Sequence, residues 1–188
     1  MRKSYVVLST VAVLALGAGV ANLTSCGCTA QKETSVLEFT LTSDGSSYEV
    51  SNLNDFTVTS VTVPSTYNGK AVTGIAKKAF SKFDEENNCY FKNTTLKTVT
   101  LPDSVIKIGS NSFLNFAELE TFNIGNKNFK FVGDDVFCDC GKLNINYPGT
   151  KDEWAISTNG SDGWAYKATV KVVCTDGEIS YTNGLRNN

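Results

Sequence analysis

A stretch that repeats itself restricts a fold more tightly than composition can, and this chain holds one from Leu96 to Leu119, LKTVTLPDSVIKIGSNSFLNFAEL. LETFNIGNKNFKFVGDDVFCDCGKL restates it immediately downstream. Leu96, Val99 and Leu101 precede Pro102, and Leu119, Phe122 and Ile124 precede Gly125. Upstream, Val58, Val61 and Val63 precede Pro64 with the same spacing. A fourth segment, Leu143, Ile145 and Tyr147, is one residue short and reads as irregular. Past each corner an aliphatic residue leads a phenylalanine by five positions: Ile75 and Phe80, Ile108 and Phe113, Val132 and Phe137. The two complete repeats are 23 and 24 residues long.

A unit of this length with two short strands cannot bury both alone. Stacked on its neighbours it forms two ladders, with strands about 4.8 Å apart and one continuous core between them. The expected fold is therefore mainly β, a short solenoid, with Phe80, Phe113 and Phe137 forming an aromatic column. Every residue in these columns reads first as core packing.

The aliphatic-Gly pair, the small residue before Phe and the trailing Leu of LPDSVIKIGSNSFLNFAEL resemble the BspA-like leucine-rich repeat. The lead-in VTVPSTYNGKAVTGIAKKAF and the closing YPGTKDEW and VKVVCTDGEI are similar to the start and end of such arrays, so the resemblance spans about residues 56–178. It implies a leucine-rich-repeat solenoid of the kind bacteria carry on secreted and surface proteins. Two departures stand out. The slot that often holds Cys, three residues after the Phe, holds Phe83, Phe116 and Cys140. The first copy also carries two insertions, one between Pro64 and Ile75 and one at about Asp84–Asn93 (DEENNCYFKN). The second must leave the solenoid as a loop.

The flanks divide the rest. Arg2 and Lys3, then the apolar Tyr5–Ala21, then Leu23-Thr24-Ser25-Cys26 resemble a bacterial lipoprotein leader. That likeness implies cleavage after Ser25, a lipid on Cys26 and a membrane-anchored product displayed outside the cell. Residues 1–25 read as signal peptide, 26–36 as tether and 37–55 as a capping β-hairpin turning at Ser43-Asp44-Gly45-Ser46. Residues 56–146 are the solenoid, 147–178 a C-terminal cap with a short helix around Trp154, and 179–188 a frayed tail.

Chemistry is sparse. The chain of 188 residues has no histidine, which excludes Ser-His-Asp and Cys-His catalysis and His-ligated zinc. Its net charge is −2, and loss of Arg2 and Lys3 leaves 15 basic against 19 acidic residues, or −4. A nucleic-acid partner needs the opposite sign. With Cys26 lipidated, Cys28, Cys89, Cys138, Cys140 and Cys174 are odd in number. A Cys89–Cys138 or a Cys140–Cys174 disulfide is conceivable, and Cys140 fits the buried thiol slot. Asp84-Glu85-Glu86 and Asp134-Asp135 read as solvated corners, the latter sharing its corner with Ser110-Asn111. Asn93-Thr94-Thr95 matches a glycosylation sequon that a bacterial lipoprotein would not normally use. No catalytic residue, metal or cofactor is expected.

Two surfaces are candidates for recognition. One is the inserted loop, through Asp84, Glu85, Glu86, Tyr90 and Phe91. The other is the outward face of the first ladder, through Lys97, Thr98, Thr100, Glu120, Thr121 and Asn123, preceded by Thr59, Ser60 and Thr62 in the first copy. The resemblance implies a non-catalytic adhesion or recognition protein whose partner is a protein or glycan of the host or a neighbouring cell. Beside it stand an envelope component docking a partner in the same cell, and a carboxylate-dependent glycoside hydrolase. The last requires two carboxylates about 5–9.5 Å apart across a cleft.

Overall fold

The computed structural model of the chain describes residues 36–131, 133–158 and 163–187. The leader, Cys26, Cys28 and the tether as far as residue 35 lie outside them, as do Val132, residues 159–162 and Asn188. Antiparallel strands β1 (Leu37–Leu41) and β2 (Tyr48–Leu53) come first. Asp44 organises their turn: it accepts hydrogen bonds from Thr42 Oγ1 at 2.6 Å, Ser46 Oγ at 2.8 Å and Ser46 N at 3.1 Å, beside Gly45 at φ 68°. In chain order there follow β3 (Ser60–Thr62), β4 (Thr66–Tyr67), β5 (Lys70–Ile75), β6 (Phe83–Asp84), β7 (Cys89–Tyr90), β8 (Thr98–Thr100) and β9 (Lys107–Ile108). Then come β10 (Thr121–Asn123), β11 (Lys130–Phe131), β12 (Lys142–Asn146), helix α1 (Lys151–Ser157) and a 3-10 turn at Gly163–Ala165. β13 (Thr169–Cys174), β14 (Gly177–Thr182) and β15 (Leu185–Arg186) close the chain.

Two sheets result. The first runs β3-β8-β10-β12-β13-β14-β15, parallel as far as β13 and antiparallel after it. The second runs β1-β2-β5-β9-β11, parallel from β2 onward, with β4 on β5. This is the short β-solenoid that the spacing predicts. Across the first sheet Val61, Val99, Phe122, Ile145, Val172 and Ile179 stand in one register row, all buried. Val50, Ile75 and Ile108 do the same in the second.

Between the sheets lies the phenylalanine column, with Phe80 and Phe113 at 4.5 Å and Phe113 and Phe137 stacked at 5.5 Å. Its coils are tied by main-chain bonds: Phe80 N donates to Ser112 O, Phe113 N to Val136 O and Phe137 N to Trp164 O. Two residues ahead of each Phe the backbone turns left-handed, at Lys78 (φ 63°), Asn111 (φ 57°) and Asp135 (φ 57°). That is why two of these three corners hold Asn or Asp, the side chains that best tolerate this region. At Gly125 the neighbouring coil passes so close that a Cβ would lie 2.6 Å from Asp103 N. Only glycine lets the two corners stack.

Several expectations need correction. The segment around Leu143 is not irregular. β12 is a regular five-residue strand, in register with β10 on one side and β13 on the other, and its Leu143 and Ile145 point inward. Ile108 pairs with Phe131, and Val132, its expected counterpart, lies outside the described residues. Phe83 leaves the buried slot that Phe116 and Cys140 occupy, because the insertion begins there. Residues 179–187, the described part of the expected tail, are not frayed. Ile179 and Tyr181 of β14 face the core, and Asn183-Gly184, with φ 56° and 82°, turns the chain into β15.

The C-terminal end is closed by aromatic packing. Thr150 and Glu153 form a capping box that starts α1 and turns Trp154 inward. Trp154 meets Tyr147 at 5.2 Å and Trp164 at 5.6 Å, and Trp164 meets Tyr181 at 5.0 Å. The Trp154 indole donates to Tyr181 Oη at 3.0 Å.

Candidate recognition site

The inserted loop is a small hairpin standing off the solenoid. Its tip is set by Asp84, which accepts from Glu86 N at 3.1 Å, Asn87 N at 3.2 Å and Asn87 Nδ2 at 2.8 Å. The Asn87 side chain, and then its N–H, hold the Asp84 carboxyl below the usual carboxylate range. Asn88 takes φ 50°, and Asp84 pairs with Cys89 and Phe83 with Tyr90.

The root is fastened to the next coil. Ser81 Oγ donates to Asn111 O at 2.7 Å, Asn115 Nδ2 donates to Tyr90 O at 3.1 Å, and Asn93 N donates to Asn115 O at 3.0 Å. Asn93 itself is buried, and its Oδ1 accepts from Leu96 N at 2.9 Å and Thr95 N at 3.0 Å. It is a fixed part of the scaffold.

What the hairpin shows to solvent is aromatic and charged. Phe83 is 43% exposed and lies edge-on to Tyr90 at 5.2 Å. Lys78 Nζ stands 5.2 Å over the Tyr90 ring. Phe91 is 50% exposed and meets Phe56 edge-on at 6.0 Å. Glu85 and Glu86 are exposed at the tip. The structure thus brings Asp84, Glu85, Glu86, Tyr90 and Phe91 into one element. It adds Phe83 and Lys78, which the sequence reading placed in the repeat; the broken period after Phe80 was the available signal for Phe83.

The outward face of the first sheet is different in kind. Lys97 Nζ and Glu120 Oε1 pair at 2.8 Å, both more than half exposed, a contact worth little in water. Thr98 lies opposite Thr121, and Thr100 opposite Asn123. Asn123 Nδ2 donates to Thr100 Oγ1 at 3.1 Å, and Asn146 Nδ2 donates to Asn123 Oδ1 at 2.7 Å. The Asn123 amide is thus engaged on both sides along the ladder rather than turned toward a ligand.

The thiols do not form a site. Cys89, Cys138, Cys140 and Cys174 are all free, so neither conceivable disulfide is present. Burial, and then Asp139, push the Cys138 thiol up to about 12. Burial also raises Cys140, whose Sγ donates to Phe113 O, and Cys174. Among the described residues no group of three or more acidic or thiol side chains is placed to hold a metal. A shallow groove is lined by Ile124, Asn146, Tyr147, Pro148, Val173, Cys174 and Thr175 and brings no carboxylate to its wall. No described helix is long and apolar enough to cross a membrane.

Residues 81–153, less than half of the chain, match the family described as BspA type leucine rich repeat region. That segment is therefore similar to leucine-rich repeats of the BspA type. No curated protein matches the chain. Among solved structures it is similar to a T. pallidum leucine-rich-repeat protein, at 16% identity over 58% of this chain and 68% of that one, with a TM-score of 0.36.

Proposed function

We propose that this chain is a surface protein, anchored by a lipid on Cys26, whose β6–β7 hairpin recognises a protein or glycan of the host or a neighbouring cell without catalysing a reaction. The observation that carries this reading is the hairpin itself. It interrupts the repeat, is anchored rigidly at its root and turns Phe83 and Phe91 toward solvent. Aromatic side chains on a pre-ordered element supply contact area at small entropic cost. Tyr90 with Lys78 above it offers a second contact, and Glu85 and Glu86 give the tip a charge that favours basic or hydroxyl-bearing partners. The sheet-face residues Lys97, Thr98, Thr100, Glu120, Thr121 and Asn123 are the flanking platform.

Two independent features support the reading of display outside the cell. One is the Leu23-Thr24-Ser25-Cys26 motif behind its apolar run. The other is the repeat type, which is generally found on bacterial surfaces.

The test uses cells displaying the full chain, probed with arrayed matrix proteins, mucins and glycans. Replacing Phe83, Tyr90 and Phe91 by Ala is expected to weaken capture by about tenfold or more. Blank arrays from correctly folded protein overturn the reading. Cys26→Ser is expected to abolish incorporation of labelled fatty acid. Cross-linking from the hairpin to a protein of the same cell would instead support the envelope-assembly role.

A further inference from the structure

We infer that the free edge of β3 pairs with the same edge of a second copy, joining two solenoids head to head through an antiparallel β3–β3 ladder. Along this strand the main chain alternates. Thr59 O accepts from Lys97 N and Thr98 N, and Val63 N donates to Thr100 O, so the odd-numbered residues face β8. The N–H and C=O groups of Ser60 and Thr62 therefore point away from the sheet, and no group among the described residues meets them. A row of open main-chain donors and acceptors is complementary to one kind of ligand, an extended polypeptide backbone.

Apart from its shortness, three residues, the edge lacks the usual guards. Proteins blunt such strands with charge, proline or a covering element. The strands stacked behind β3 are flanked by Lys97, Glu120 and Lys142, whereas Thr59 to Thr62 carry no charge. Pro64 is no guard of this kind, because Pro102 fills the same slot in an interior coil. At the other end of the same sheet, β14 and β15 fold back antiparallel on β13.

A second copy fits better than a foreign strand. With a two-fold axis at Val61, Ser60 of one copy lies opposite Thr62 of the other. Both residues of each pair then exchange N–H and C=O bonds, giving about four main-chain hydrogen bonds. Ser–Thr contacts across a ladder are favourable, and no like charges meet. A free peptide gains the same few bonds but must be ordered to make them, whereas a folded copy presents its strand already extended. The pairing does not depend on what the hairpin binds.

Two differently tagged full-length copies, made in one cell, are expected to co-purify. Copies that all carry Ser60→Lys with Thr62→Lys place lysines opposite lysines and should lose recovery by about tenfold. Combining that variant with one carrying Ser60→Glu and Thr62→Glu should restore it, since each lysine then faces a glutamate. On a Cys89→Ser background, a Ser60→Cys copy should form a disulfide with a Thr62→Cys copy, because hydrogen-bonded partners about 5.5 Å apart are within disulfide reach. Unchanged melting temperatures show that each variant folds. Wild-type copies that fail to co-purify overturn the proposal, as do Lys–Lys copies that pair as well as Lys–Glu ones. So does a Ser60→Cys copy that links to itself as readily as to Thr62→Cys, or a different protein recovered on β3 in place of the second copy.

Discussion

The first coil carries two insertions of nearly the same construction: β4 paired with the start of β5, and β6 paired with β7. Each pairs two residues with two across a turn that holds a left-handed asparagine, Asn68 (φ 48°) in one and Asn88 (φ 50°) in the other. Their aromatics go to different places. Tyr67 of β4 is 37% exposed, yet its ring stacks on Phe39 at 4.2 Å and meets Tyr48 edge-on at 5.0 Å. Lys70, just past the same turn, donates its ammonium to the carbonyl of Gly45 in the opening hairpin. This insertion packs onto the opening hairpin. Phe83 and Tyr90 of the other insertion pair with each other, and Phe91 meets the half-buried Phe56 edge-on. An insertion in a solenoid is thus a cap or a presented element according to whether its apolar side chains find another strand to cover.

The comparison can be broken at several levels. Phe113→Ala sets the scale of the scaffold beneath both insertions. Its ring touches Phe80, Phe116, Phe122 and Phe137, and its loss should lower unfolding stability by about 3–5 kcal/mol in denaturant titration. Tyr67→Ala should lower it by about 1–2 kcal/mol, because a stacked and an edge-on contact disappear together. Phe83→Ala with Phe91→Ala should change stability by no more than about 0.5 kcal/mol while weakening capture of a partner. A large loss of stability from that double variant would show that the hairpin is a cap after all.

The smallest effect is on acid sensitivity. Asp44 is lowered to about 2, first by the Thr42 hydroxyl and then by Ser46, so its contribution to the opening hairpin is complete above pH 3.8 and is lost as pH falls through about 2. Asp84 is also lowered, first by the Asn87 side chain, with the same sign. Asp44→Asn should flatten the acid limb of global unfolding. Asp84→Asn should alter only amide exchange near residues 84–90, because its turn lies outside the core.

The scaffold was legible because a 23-residue spacing admits few physical solutions. Phe80, Phe113 and Phe137 recur at positions that only a stacked coil can bury together. Less legible were features decided by tertiary partners. The alternation of Ile179 and Tyr181 is too short to distinguish a strand from a tail until β13 supplies an edge for it. The missing residue between Leu143 and Ile145 looks like a defect in one strand, yet the register with β10 and β13 absorbs it. Phe83 fits the repeat by count and leaves it only because the loop after it must exit. For the sheet face, residue types suggested a platform, but the bonding of Asn123 to both Thr100 and Asn146 depends on neighbours 23 residues away on either side.

Asn93 carries a consequence for making this protein in other hosts. The side chain is 1% exposed and its Oδ1 already receives two main-chain N–H groups, while Asn93-Thr94-Thr95 has the form that eukaryotic oligosaccharyltransferase accepts. A sugar on its amide has no room in the folded coil. In a eukaryotic secretory pathway, folding and glycan addition therefore compete for the same nitrogen. Molecules modified first are excluded from the native state, so yield there should depend on how quickly the first coil closes over Asn93.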